Sequence, residues 1–231
     1  MKLNNCELFD FFVEKEILAL YHANTVSTSI TYFQAGGLLS RGAVTNLGLF
    51  QTPQSSDALD IALGVWDDIF IDSTDLHSFF NRENHYGPVL FELDRNLILD
   101  KNFDIWITKN NPIYWNASTP LSDRYFSDVN ELREKWHTIQ KQRMMITIRK
   151  NTSPILFNYV RRVIVDDPKR MILMNGQNIP VFNMANSQIK NVITSGHTLS
   201  GKFIIRKCSN CWCTSNYLRQ RNSSDIQRLF L

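Results

Sequence analysis

The apolar residues of this sequence come in short bursts, and that pattern limits the fold more than any other feature. "DDIFIDS" (67–73), "YGPVLFEL" (86–93), "DIWITK" (104–109), "RMMITIRK" (143–150), "RRVIVDD" (161–167), "RMILMNG" (170–176), "IPVFNM" (179–184) and "KFIIRK" (202–207) are rich in β-branched or aromatic side chains. They are bounded by Asn, Asp, Gly or Pro, so each reads as a short strand. Four other stretches have helical spacing. "CELFDFFVEKEILALYHAN" (6–24) places Leu8, Phe11, Phe12, Ile17 and Leu18 on an amphipathic helix that runs into a short strand at Tyr21–His22. "TSITYFQAGGLLS" (28–40) reads as a second helix, stopped by glycine at its C-cap. "SSDALDIALGVW" (55–66) reads as a third, capped by Ser55, Ser56 or Asp57. "SDVNELREKWHTIQKQ" (127–142) offers Asp128 and Glu131 as a capping box, with Val129, Leu132, Trp136 and Ile139 on one face. The sum is an α+β chain, a mixed sheet core with flanking helices, whose second half is mostly sheet.

With 231 residues and 43% apolar side chains the chain can bury a substantial core. No repeat, low-complexity tract or Gly/Ser/Pro-rich linker interrupts it, so one domain over residues 1–231 is the expectation. No apolar run approaches the roughly 20 residues that span a bilayer, so no membrane partner is expected. The start, "MKLNNCELFDFFVEKE", is acidic where a signal peptide is basic and then apolar. A soluble, cytoplasmic protein is expected. Three of its four cysteines crowd into "CSNCWC", unlike a secreted disulfide framework.

The net charge of +3 hides an asymmetry. Residues 1–140 carry 10 Lys+Arg against 19 Asp+Glu, and residues 141–231 carry 15 against 3, a difference of −9 versus +12. A basic segment this dense suits a polyanion such as nucleic acid, or an acidic partner protein. The other reading is that the basic part packs against the acidic part.

Several residues carry candidate chemistry. His22 follows an apolar run, with Asn24, Thr25 and Thr28 clustered behind it. It reads either as a structural histidine or as part of a ligand site. Gly36 and Gly37 let a ligand approach the main chain, or simply stop the helix. Arg41 has the planar fork that grips phosphate, and solvent is its other reading. Asp67, Asp68, Asp72, Asp75 and His77 concentrate within eleven residues, but on a strand-like stretch where a calcium or magnesium site would want a flexible loop. Cys208, Cys211 and Cys213, with His197 as a distant fourth ligand, fall short of the two paired ligand sets of structural zinc, so a reduced cluster is the simpler reading. No GxSxG, P-loop, Rossmann fingerprint or HExxH occurs, which disfavours hydrolases, NTPases and dinucleotide oxidoreductases of the usual designs.

"YHANTVSTSITYFQAGG" (21–37) resembles the NAD-binding start of ADP-ribosyltransferases, in particular the DarT type of bacterial toxin that modifies nucleic acid. Those open with a pattern like Y-H-I-T-H-x-x-N-L-x-x-I-L-x-x-G-L. Tyr21, His22 and Gly36 match without a gap, while Asn24 stands for the family threonine, Thr25 for its histidine and Thr28 for its asparagine. The swaps keep polarity and change geometry. "VWDDIFID" fills the place of the family's middle aromatic strand, and "WITKNNPIYWNASTPLSDRYFSDVNELREKW" (106–136) resembles its later F-T-D-G-N-A and T-x-F-Y-x-D-L-x-x-L segments.

The resemblance implies an ADP-ribosyltransferase-like fold with NAD as substrate, nucleic acid as acceptor, a role as toxin or phage-defence effector, and an antitoxin partner. It also implies roles for residues. His22 and its polar neighbours would hold the adenosine-side ribose, and main chain at Gly36 and Gly37 would receive nicotinamide or ribose. Arg41 or a later arginine would clamp the pyrophosphate while positive charge builds on the ribose. Tyr114, Trp115 or Tyr125 would stack an acceptor base. One position departs: Ile146, in "QRMMITIRK", falls where the family's catalytic glutamate is expected. Either the register differs, or another acid (Glu131, Glu134 or Glu92) serves, or the chemistry is altered or lost. A binding module without turnover, and a transferase acting on protein or a small molecule, are the rival readings.

Overall fold

The computed structural model describes residues 1–79, 85–138, 144–207, 217 and 223–231. Its helices are α1 (Asn5–Glu14), α2 (Val26–Ala35), α3 (Arg41–Asn46), α4 (Asp57–Ala62), α5 (Leu76–Phe79), α6 (Leu121–Arg124), α7 (Val129–Lys135), α8 (Val181–Val192) and α9 (Ser223–Phe230). The strands are β1 (Ala19–Asn24), β2 (Gly37–Leu38), β3 (Ile69–Ile71), β4 (Val89–Asp94), β5 (Ile105–Ile107), β6 (Ile146–Ile148), β7 (Ile155–Leu156), β8 (Val160–Asp167), β9 (Met171–Met174), β10 (Gln177–Pro180) and β11 (Phe203–Lys207).

Two sheets organise the chain. The first has the order β1-β4-β8-β11, antiparallel except for the parallel β8/β11 pair, so it is mixed. Val89 to Leu93 of β4 are all buried, as a central strand covered on both faces must be. Glu92 is admitted to that strand because Arg161 and Arg162 meet its carboxylate. The second sheet has the order β3-β6-β5, and its alternation is strict. Ile69, Ile71, Ile105, Ile107, Ile146 and Ile148 enter the main core, while Phe70, Trp106 and Thr147 stand on the opposite face. There Phe70 and Trp106 pack against a smaller cluster of Leu63, Val65, Trp115 and Tyr125. The main core draws on side chains from Leu3 to Phe230.

The sheets meet at their edge strands. Tyr21 of β1 and Asp72, just past β3, exchange two backbone hydrogen bonds of 2.8 Å. Helix α1 is capped by Asn4, whose side chain accepts from the N–H groups of Cys6 and Glu7, and buries Leu8, Phe11 and Phe12. Helices α8 and α9 pack on each other, and α2 packs on both.

The observed architecture is the expected α+β arrangement, with one expected strand corrected. In "IPVFNM" only Ile179 and Pro180 are extended, in β10, and Val181 opens α8. Proline suits that junction because it lacks the N–H a ladder would need. Val181, Ala185 and Ile189 then recur every four residues on the buried face. Helix α7 is shorter than its sequence pattern, giving way at Trp136–Thr138 to a 3-10 turn, and Ile139 lies outside the described residues.

Candidate functional site

A cavity of about 710 Å³ opens along the seam between the sheets. Its wall takes His22 and Asn24 from β1, Tyr32 from α2, Arg41 from α3, Asp68, Phe70 and Asp72 around β3, and Met145 just before β6. Asp60, Trp66, Tyr86, the Asn111–Ile113 segment and two residues of α9, Asp225 and Arg228, complete much of the rest. The volume falls within the roughly 300–1,000 Å³ of small-molecule sites.

His22 is oriented by its neighbour across the seam. Its Nδ1 lies 2.9 Å from the carbonyl oxygen of Phe70, which can only accept, so Nδ1 carries the proton. Burial holds its pKa below the usual 6.5 and favours the neutral ring. Nε2 is then an acceptor, and it makes no hydrogen bond within the protein. A ribose hydroxyl is the kind of donor it fits.

Arg41 is half spent. Its Nη2 donates to Asp57 Oδ2 (2.7 Å) and to the Thr52 carbonyl (3.1 Å), and its guanidinium lies 5.2 Å from the Trp66 ring centre. Nε and Nη1 are buried without a hydrogen bond. Two orphaned donors on a fixed cation make a place for a phosphate oxygen.

Asn24 is committed to its surroundings. Its Oδ1 accepts from Thr25 N–H (2.9 Å) and its Nδ2 donates to the Tyr32 hydroxyl (3.1 Å). Burial pushes the Tyr32 phenol up to about 12, so its proton stays and is available to a ligand. Tyr32 was legible only as part of a helix face.

The other expected binding residues lie off the cavity wall. Thr25 is the N-cap of α2, accepting from Thr28 N–H, and its hydroxyl lies 2.7 Å from that of Thr52. Thr28 Oγ1 accepts from Thr52 N–H at 2.9 Å. Both threonines are buried structural links. Gly36 is the left-handed C-cap of α2 (φ 79°). Gly37 pairs with Leu156 so closely that a Cβ would lie 2.5 Å from the Ile155 carbonyl oxygen. Neither lines the cavity.

The expected acids are also elsewhere. Glu131 sits on α7, where its N–H bonds Asp128 and its carboxylate takes Ser127, Lys109 and Lys135. Burial is the largest single influence and opposes its ionisation, but the hydrogen bonds from Lys109, Ser127 and Lys135 together outweigh it and hold the carboxyl far below the ordinary range. Glu134 is exposed on the same helix, and Glu92 is the β4 residue held by two arginines. Ile146 is 1% exposed and points into the main core, so a glutamate there would miss the cavity; its neighbour Met145 lines it. The position aligned with the family glutamate is therefore shifted from the wall.

Asp68, read in the sequence only as one of an acidic cluster weighed for a cation, lies on the cavity wall. It is 5% exposed, and its Oδ1 accepts the Lys150 N–H at 2.9 Å. Oδ2 makes no hydrogen bond and lies 3.3 Å from Arg149 Nε. Burial pushes its carboxyl up to about 6 against the pull of Lys150 and Arg149.

Of the aromatic candidates for base stacking, Trp115 and Tyr125 are buried in the smaller core cluster, and Tyr125 takes Arg149 Nη1 on its hydroxyl at 2.6 Å. Tyr114 is 63% exposed, next to the wall segment Asn111–Ile113. Among the described residues no group of His, Cys, Asp and Glu is placed to hold a metal. Cys208, Cys211 and Cys213 lie outside those residues, and both ring nitrogens of His197 are engaged by backbone at Phe33 and Leu199. No described helix is long and apolar enough to cross a membrane.

No family model matches the chain, and no curated protein matches it. Among solved structures, Thermus sp. 2.9 DarT in complex with NAD+ is similar over 83% of this chain and 96% of its own, at 12% identity and a TM-score of 0.47. Thermus sp. 2.9 DarT in complex with ADP-ribosylated ssDNA is similar over 65% of this chain and 82% of its own, at 11% identity and 0.45. The fold described here rests on the strand register itself.

Proposed function

We propose that this chain is an NAD-dependent ADP-ribosyltransferase that modifies nucleic acid. The observation that carries the reading is the wall shared by His22 and Arg41: an acceptor nitrogen and two unbonded guanidinium donors, buried in one cavity large enough for a dinucleotide. A ribose hydroxyl and a pyrophosphate present the complementary groups. The sequence pattern from Tyr21 to Gly36, met by the resemblance to DarT-type toxins, supports the same assignment. In this reading Arg41 clamps the pyrophosphate, His22 and Tyr32 orient the sugar, and the exposed ring of Tyr114, next in sequence to the wall segment Asn111–Ile113, offers an incoming base a stacking surface. We further infer a single domain acting in the cytoplasm as a toxin or phage-defence effector, restrained by an antitoxin protein.

The test is transfer from NAD carrying a label in its adenylate half, offered to separate pools of DNA, RNA and protein. Label on nucleic acid is expected. Label on protein or a small molecule would move the acceptor to another class, and no label on any pool would leave a binding module.

A further inference from the structure

We propose that Asp68 supplies the working carboxylate of this cavity, contacting the ribose at the bond that breaks and taking the proton of the acceptor base. The inference rests on the ADP-ribosyltransferase reading above and names the group that reading lacked.

Four carboxylates line the cavity: Asp60, Asp68, Asp72 and Asp225. Asp225 is exposed, and Asp60 and Asp72 are only partly buried; among the described residues Asp68 is the fully buried acid on the wall. It lies immediately before β3, two residues from Phe70, whose carbonyl fixes His22. Asp68 therefore stands on the bank opposite His22, the residue proposed to orient the sugar, and both line the one cavity between the sheets.

Its position is fixed from behind. Arg149, whose guanidinium lies 5.1 Å from the ring centres of both Trp106 and Tyr125, presents Nε to Asp68 Oδ2 without meeting hydrogen-bond geometry. Arg149 is not part of the wall, so it acts as a positioning residue. One carboxylate oxygen is thus held by backbone, and the other remains free of hydrogen bonds.

The chemistry balances with these groups. The bond from ribose C1 to the nicotinamide nitrogen breaks, and its electron pair leaves with neutral nicotinamide. The cationic ribose that results is stabilised by the adjacent carboxylate. An acceptor nitrogen on the base forms the new bond to C1 and gives its proton to Asp68, which releases it to water. NAD and base become ADP-ribosylated base, nicotinamide and one proton.

D68N tests the assignment. Transfer is expected to fall by about 100-fold or more, with NAD affinity changed less than about threefold, as for loss of a group acting in the transition state. Wild-type kcat/KM should fall away below about pH 6, where burial places the Asp68 titration in the free protein, and the residual kcat/KM of D68N should lack that limb. Arg149, Lys150 and Asp67 face Asp68 from behind, while His22, Arg41, Asp60, Asp72, Asp225 and Arg228 face the same cavity. A limb that survives D68N belongs to one of those groups and overturns the proposal, as does a D68N rate within about threefold of wild type. If D68N does not fold, D68E is read instead: its limb should move and its rate fall, and an unchanged limb and rate overturn the assignment. Wild-type protein that neither binds NAD nor transfers label would remove the underlying reading, independently of any variant.

Discussion

Arg41 and Glu131 show how a charged residue's neighbours decide what it can do. Arg41, a residue of the cavity wall, spends one guanidinium nitrogen on Asp57 and Thr52 and leaves two buried without a hydrogen bond. Glu131 spends its carboxylate on Ser127, Lys109 and Lys135. The sequence offered both as candidates because residue type and spacing were visible in it. What each charge meets in space was not. Asp68 failed to stand out for the same reason: its partners, Arg149 and Lys150, lie some 80 residues away and reach it only through the pairing of β3 with β6. R41K keeps the charge and loses the planar fork, so NAD binding measured by calorimetry should weaken by about tenfold or more, with thermal stability nearly unchanged.

At the scale of elements, helix α2 was the most legible part of the site. Its glycine stop was read from the sequence and the structure places a left-handed cap at Gly36, whereas Thr25, read as a ligand residue, is its N-cap. The capping signal of α7 was legible too, with Asp128 accepting from Glu131 N–H. Helix α8 was not, because "IPVFNM" begins as strand and its helical period shows only when Ala185 and Ile189 are included. The buried hydroxyls of Thr25, Thr28 and Thr52 tie α2 to the loop after α3. T25A removes the cap and strands these partners, so denaturant unfolding should show a loss of about 1–3 kcal/mol. Catalytic parameters should change little in the fraction that remains folded, since Thr25 lies off the wall.

Across the whole molecule, the two charge blocks of the sequence are partly knitted together. Arg149 meets Asp68, Arg161 and Arg162 meet Glu92, and Arg206 meets Asp75, each joining the basic stretch to the acidic one. The alternative of mutual packing is therefore realised for these four arginines, and the sequence alone had no means of assigning such pairs. Sheet composition was readable from the short apolar runs, whereas the order of strands, and so the cavity, depended on contacts between distant segments.

The mutual backbone bonds of Tyr21 and Asp72 are the narrow joint where the edges of the two sheets touch. The cavity lies beside that joint, with His22 on one bank and Phe70 and Asp72 on the other. A ligand seated there would brace both banks, and the joint could open less often. The Tyr21 and Asp72 amides should then trade hydrogen for deuterium more slowly when NAD is present, while amides deep in β4 keep their rate. Two peptide groups at the joint would act as the strain gauge of the site.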